Sequence, residues 1–386
     1  VRILLALTYY RPHISGLTIY VERLARALSA RGHEVTVLTS RYDPTLPAEE
    51  IRDGVRVRRV PVLFRFSKWV FMPTFPAAAV EEIGRHDVVS IHLPQAEGVL
   101  LAAIARMKRK PSVLTYHCDL QMPKVWYGPI VDRVVYWDNL LAAKLADRIV
   151  AYTEDFASHS PLLSRFMEKV TVILPPVIIP DPTPEGKRKI LEKAGVDGKK
   201  KICFAARFAA EKGADYLMKS IEHILPDVPN AHILFAGEYK NVIGEKVYLE
   251  MQPLIRKYRD YLTFLGVLSP EGMANFFSIC DVLVVASINS TESFGLVQVE
   301  AMLNGCPVVA TNLPGVRQPV KMTGMGEIVP IKDEVALAKA IVKVIKNRSS
   351  YIRPKEEIRK IFSFEETVSR YEALFEEQVG IRNERG

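Results

Sequence analysis

Apolar positions along this chain come in two rhythms. Short runs rich in Val, Ile and Leu alternate with longer stretches in which apolar residues return every third or fourth position. In the first half the short runs are Val1–Thr8, Val35–Ser40, Val55–Val62, Asp87–Leu93, Ser112–His117, Asp147–Thr153 and Val170–Leu174. Helical patterns lie between several of them, notably Thr18–Arg31 and Val131–Leu145. Strands alternating with helices predict α/β units with doubly wound parallel sheets. The rhythm breaks from Pro175 to Pro184, where five prolines fall in ten residues. Such a segment continues neither a helix nor a central strand, and it reads as an interdomain linker. The strand rhythm then restarts at Lys201–Ala206, Ala231–Ala236, Tyr261–Leu265, Asp281–Ala286, Pro307–Thr311 and Gly326–Val329. Two domains of one kind follow, residues 1–176 and 177–363. A last helix starts at Ser363, with Glu366 three residues on as a capping box. Its Val368, Tyr371 and Phe375 share one face, so it either completes the second domain or packs back on the first.

Chemistry enters where strands end, because ligands of open α/β sheets bind at the carboxyl ends of strands. The stretch TESFGLVQVEAMLNGCPVVAT, Thr291 to Thr311, sets Glu292 and Glu300 on either side of a turn and a helix start. A helix beginning near Phe294 or Gly295 points free N–H groups at an anion, and Gly295 lets a ligand approach. Eight helical residues span roughly 12 Å. That is wide for a hydrolytic carboxylate pair, about 5 to 10 Å apart. It suits an extended sugar nucleotide, with the sugar near Glu292, the diphosphate at Ser293 to Leu296 and the ribose diol near Glu300. From spacing alone, two surface acids flanking a core helix explain the pattern as well. RFAAEKG, Arg207 to Gly213, follows the first strand of the second domain, and its Arg207 and Lys212 supply two cations for a diphosphate. Gly237 and Glu238 follow the next strand, and Gly266 and Val267 the one after; their backbone can hold a base.

In the first domain Ser15 and Gly16 precede a helix whose N-terminus forms a second anion-binding corner. The pattern is not GxGxxG, so a dinucleotide fingerprint is absent. His117 and Asp119, in TYHCD, end another strand and would face the cleft, although a lone histidine is more often structural. No Walker A run, HExxH, zinc spacing or DxD occurs, so no metal and no cofactor is expected, and protein cations must carry the phosphate charge.

These residues resemble those of a retaining glycosyltransferase of family 4, with the two-domain GT-B architecture of two Rossmann-like sheets facing a central cleft. The likeness covers nearly the whole chain and is strongest in E-x7-E, Glu292 through Glu300, and in RFAAEKG. The resemblance implies that Arg207 and Lys212 bind the donor diphosphate, completed by the backbone at Phe294 to Leu296. It implies that Glu300 takes the ribose hydroxyls and Glu292 the donor sugar. Gly16 would approach the phosphates, and His117 would lie beside sugar and acceptor. It further implies same-face transfer without a protein nucleophile, and a C-terminal helix 364–386 that crosses back to the first domain. Two positions depart from the pattern. Ser15-Gly16 replaces a Gly-Gly pair, and Pro175-Pro176 stands where the family has an Asn-Gly turn.

Lys plus Arg number 52 against 44 Asp plus Glu, a formal net charge of +8. That favours a polyanionic partner: nucleic acid, an anionic membrane or a phosphorylated small molecule. The cations are scattered and no nucleic-acid module is visible, so nucleic acid is the weakest of the three. The four cysteines form no CxxC pair and their spacing is not that of a disulfide framework, which predicts a reducing, cytoplasmic setting. No apolar run is long enough to span a bilayer. The opening reads as a first strand rather than a signal peptide, and the missing Met suggests a trimmed start. The segment Leu63–Pro76 mixes aromatics with Arg65 and Lys68, and Arg106–Lys110 adds four cations. Both fit peripheral contact with an anionic membrane and a lipid-linked or glycan acceptor, and equally a core-facing loop with a solvated basic rim. The expected donor is a nucleotide-diphosphate sugar, UDP-hexose before GDP-mannose. A GT-B sugar-nucleotide epimerase is the main alternative.

Overall fold

The computed structural model describes residues 1–66, 69–121, 128–240, 242 and 246–384. The chain divides into two compact units, Val1–Pro176 with Phe364–Gly386, and Val177–Ser363. The first unit carries β1 (Arg2–Ala6), β2 (Glu34–Arg41), β3 (Glu49–Arg52), β4 (Val55–Pro61), β5 (Phe64–Phe66) and β6 (Trp69–Phe71). It continues with β7 (Val88–Leu93), β8 (Ser112–Tyr116), β9 (Arg148–Ala151) and β10 (Val170–Val172). Its helices are α1 (Gly16–Ala30), α2 (Phe75–Arg85), α3 (Gly98–Met107), α4 (Gly128–Leu145) and α5 (Glu154–His159). Eight strands form one sheet in the order β10-β9-β8-β7-β1-β2-β4-β3, parallel except for the β3–β4 edge.

The second unit opens with α6 (Pro184–Ala194), β11 (Lys200–Ala205), α7 (Ala214–Ile224) and β12 (Ala231–Ala236). Then come α8 (Val247–Glu250), α9 (Gln252–Lys257), β13 (Leu262–Gly266), α10 (Pro270–Ile279) and β14 (Val282–Val285). It closes with α11 (Leu296–Leu303), β15 (Val308–Thr311), α12 (Gln318–Thr323), β16 (Gly326–Val329), α13 (Glu334–Lys346), α14 (Arg348–Tyr351) and α15 (Lys355–Ile361). Its sheet runs β13-β12-β11-β14-β15-β16, all parallel. Strands β7 and β12 are buried at every position. This is the pattern of a parallel sheet covered by helices on both faces, and it is why these strands read as largely apolar runs, broken by Ser90, His92 and His232.

Between β10 and α6 no helix or strand forms, as the prolines require. The last helix, α16 (Phe364–Glu384), belongs to the first unit. Its Val368, Tyr371 and Phe375 are fully buried there. The Tyr371 hydroxyl lies 2.6 Å from that of Tyr20 on α1, and Glu372 accepts from Arg31 at 2.7 Å.

The strip Leu63–Pro76 contains an antiparallel hairpin, β5 with β6, that the sequence reading did not resolve. Strand alternation sorts its residues: Val70, Met72 and Phe75 enter the core, while Phe64 and Phe71 stack on each other outside, 5.0 Å between rings. Lys68 lies outside the described residues.

Cysteine usage departs from expectation. Cys203 and Cys280 form a disulfide with Cα atoms 6.0 Å apart. The partners are 77 residues apart in the chain, so no local spacing announced the pair. Sheet order makes it: β11 pairs with β14, setting Cys203 beside Leu283 and thus near Cys280 at the end of α10. The expectation of no disulfide, on which the reducing setting rested, is corrected at this pair; Cys118 and Cys306 stand outside it.

Candidate functional site

Three loops at the carboxyl end of the second sheet are stitched together by backbone. Phe208 N donates to Glu238 O at 2.9 Å, and Gly237 N donates to Gly266 O at 2.8 Å. These bonds join the loops after β11, β12 and β13. Gly237, at φ +129°, sits so close that a Cβ there would lie 2.4 Å from Ala206 O. A side chain at that position has neither room nor a suitable backbone. The loop after β11 is also tied to the one after β14. Ile288 N donates to Glu211 O at 2.9 Å, and a Cβ on Gly213 would fall 2.1 Å from Ala286 O. RFAAEKG is thereby fixed on both sides.

On this frame Lys212 reaches Glu292, Nζ to Oε2 at 2.5 Å, with both side chains about four-fifths buried. The other Glu292 oxygen accepts from Gly295 N at 3.1 Å. Gly295, at φ +75°, is the N-cap of α11, so Glu292 itself caps the turn where an anion was expected to bind. Burial pulls the Lys212 ammonium down, but the Glu292 and Glu211 carboxylates more than offset it and raise its pKa above the ordinary lysine value. The guanidinium of Arg207 makes no ion pair or side-chain hydrogen bond among the described residues, and it lies near enough to Lys212 to oppose its charge. A half-buried guanidinium beside a carboxylate-paired ammonium has the chemistry to hold an anion. Ser293 and Phe294 are buried, Phe294 with its ring against Phe362 at 6.0 Å. Leu296 opens α11, and Glu300 sits farther along it, nine-tenths buried. Gly266 and the exposed Val267 end the third loop.

Gln298 was not singled out from sequence. It is fully buried and donates from Nε2 to Phe294 O at 2.7 Å and to Val316 O at 2.8 Å. It therefore locks the glycine turn from within the helix. Its position inside E-x7-E was the available signal.

The first unit arranges its expected residues differently. Ser15 is the N-cap of α1, its Oγ accepting from Thr18 N at 3.2 Å, so the hydroxyl is engaged in capping. Gly16 is the first residue of that helix rather than part of a free loop. His117 is buried instead of open. One ring nitrogen meets His92 at 2.9 Å, and the other meets the Tyr152 hydroxyl. Burial first, and the neighbouring His92 second, push its pKa well below the ordinary histidine value, so the ring is neutral. Asp119 accepts from Tyr116 Oη at 2.9 Å and Ser160 Oγ at 2.6 Å. Neither His92 nor Tyr152 was named from sequence; β7 and β8 are neighbouring strands, which sets His92 beside His117. Away from these residues, His33, Glu372 and Glu376 bring possible metal-ligand atoms within 4.8 Å of one another, but Arg31 already pairs with Glu372.

Comparison with known proteins gives these loops a context. Residues 186–361 match the family model "Glycosyl transferases group 1", and residues 14–179 match "Glycosyltransferase Family 4". D-inositol 3-phosphate glycosyltransferase of Geodermatophilus obscurus is 27% identical over 383 residues, covering 93% of this chain and 84% of that protein. Phosphatidyl-myo-inositol mannosyltransferase of Mycobacterium leprae is 25% identical over 389 residues, covering 94% and 92%. The structure of Anabaena HepE in complex with UDP superposes with a TM-score of 0.74 at 20% identity, over 98% of this chain and 100% of that one. The two family models meet near the proline linker and between them take in both units, and the chain belongs to the family-4 glycosyltransferases of the GT-B fold.

Proposed function

We propose that the chain is a retaining, metal-independent hexosyltransferase that moves a sugar from a nucleotide-diphosphate donor to a hydroxyl of a lipid-linked or glycan acceptor. The observation that carries this reading is the convergence of Arg207, Lys212, Glu292 and the N-terminus of α11 on one rim of the second sheet. Arg207 and Lys212 neutralise the diphosphate as it departs, and no nucleophilic side chain is required. Glu292 orients the donor sugar and Glu300 accepts from the ribose diol. Same-face attack then leaves the anomeric configuration unchanged, with the leaving phosphate taking the acceptor proton. The backbone at Gly237–Glu238 and Gly266–Val267 borders the base. The first unit is the acceptor side, where His117 and Asp119 position rather than transfer protons.

The names of the inositol-phosphate and phosphatidylinositol relatives support a polyol or lipid acceptor. UDP-hexose is the first donor to try, since HepE was solved with UDP, and GDP-mannose the second, given the mannosyl relative. No helix among the described residues is long and apolar enough to cross a membrane. The test is turnover of each donor in mixed micelles containing phosphatidylinositol or diacylglycerol, with EDTA present. The expected product is an α-glycoside from an α-linked donor, read by proton NMR. A β-glycoside would overturn retention, loss of turnover in EDTA would overturn metal independence, and an isomerised donor without acceptor would establish the epimerase instead.

A further inference from the structure

Helix α4 is turned inside out on one side. Ile130, Val134, Trp137 and Leu141 are 64%, 58%, 55% and 47% exposed, and their spacing puts them on one face. The opposite face carries Val135, Leu140, Ala142 and Ala143 into the core. The charged side chains exposed along the helix are Arg133 and Lys144, whereas Asp132 and Asp138 are partly buried. The outer face thus combines large apolar groups with cations and no exposed acid. Soluble surface helices have the reverse pattern, polar outward.

A second patch lies over the same core. The β5–β6 hairpin exposes Leu63, Phe64 and Phe71, while its Val70 and Met72 enter the cluster that also holds Leu140, Ala142 and Ala143 of α4. Helices α2, α3 and α4 pack side by side over that cluster. The exposed end of α3 adds Arg106, Lys108 and Arg109.

We propose that this side of the first unit, centred on the α4 row, is a docking surface for an anionic lipid bilayer. The inference deepens the reading above, which puts the acceptor in a membrane, by naming the surface that reaches it. Aromatic and aliphatic side chains at the headgroup boundary, with Lys and Arg beside them, are the chemistry of an interfacial helix. Charge separates this occupant from a second copy of the chain. A two-fold contact sets a face against itself, so Arg133 and Lys144 would meet cations with no exposed carboxylate on the helix to answer them.

The test is flotation with vesicles of phosphatidylcholine alone or with phosphatidylglycerol, comparing wild type with Trp137→Glu and Arg133→Glu. Wild type is expected to float with the anionic vesicles and not with the neutral ones. Arg133→Glu should lower the partition coefficient about fivefold or more, and Trp137→Glu further. Both variants should keep the wild-type melting temperature and its rise with donor nucleotide, neither residue being in the donor loops. Wild-type flotation of Trp137→Glu, or no flotation of wild type, overturns the surface. So does a wild-type dimer in sedimentation that Trp137→Glu converts to monomer. Loss of the nucleotide response in every protein would instead sink the transferase reading and leave the docking result standing.

Discussion

Lys212 and Glu292 are 80 residues apart in the chain and 2.5 Å apart in space. The Glu292 carboxylate keeps the Lys212 ammonium charged in a setting whose burial disfavours that charge. A departing diphosphate would add two negative groups beside a cation already held in place, which is how preorganised charge lowers a barrier. Lys212→Ala is therefore expected to lower kcat/KM by about 10²- to 10³-fold. Glu300→Gln, which keeps shape and loses charge, should act mainly on donor KM, by about tenfold, with kcat little changed. Steady-state kinetics on both variants distinguishes the two roles, and wild-type constants for both would remove these residues from the site. Arg207, Lys212, Glu292 and Gly295 were each nameable from their motifs. Which of them touch was not, because contact depends on β11 lying next to β14, and strand order is absent from local pattern. His117 shows the same limit: the sequence left it open between a structural and a cleft-facing histidine, and only its neighbours, His92 from β7 and Tyr152, show where the ring sits. Another residue-scale effect concerns Glu97. Burial, with the Asp138 carboxylate adding to it, raises its pKa from 4.5 to about 7. The unfolded chain ionises first, so this group's contribution to stability is full below the unfolded value and is lost as pH rises toward 7. Wild type should melt lower at pH 8 than at pH 5 by more than Glu97→Gln does. Equal pH slopes for the two proteins would show that Glu97 titrates normally.

At the scale of elements, the central strands were the most legible part of the chain. Runs such as Ala231–Ala236 are apolar apart from His232 because both faces are covered, and their ends are set by glycine and polar loops. The edges were less legible. Strand β3 (Glu49–Arg52) has the sequence EEIR and is held at the sheet edge by antiparallel pairing to β4, which no apolar rhythm announces. The β5–β6 hairpin was hidden for a different reason, since Val70 and Met72 enter the core while its aromatic Phe64 and Phe71 lie exposed. The disulfide between β11 and the end of α10 is also an element-scale feature. Closing a loop of 77 residues, it is expected to contribute roughly 2–4 kcal/mol by restricting the unfolded chain. Reduction, or Cys203→Ser with Cys280→Ser, should lower the melting temperature by several degrees. An unchanged melting temperature on adding reductant, with the thiols shown to be free by alkylation, would contradict it.

At the scale of the molecule, the chain is two αβ units, one organised around an eight-stranded sheet that is parallel except at its β3–β4 edge, the other around a six-stranded parallel sheet. Composition alone set only a preference for anionic partners; the structure places Arg207 and Lys212 beside one another on the second unit and an apolar, cationic helix face on the first. The central claim is that the loops after β11 and β14 form a donor diphosphate site. The most direct test is a melting-temperature screen with UDP, GDP, ADP and their common sugar conjugates, without metal, on wild type and Arg207→Ala. A ligand that binds the folded state alone must raise its stability, by about 2.7 kcal/mol at one hundred times Kd. The account predicts a rise with one nucleotide family in wild type and none in Arg207→Ala. A rise that survives Arg207→Ala, or no rise with any nucleotide, would contradict it.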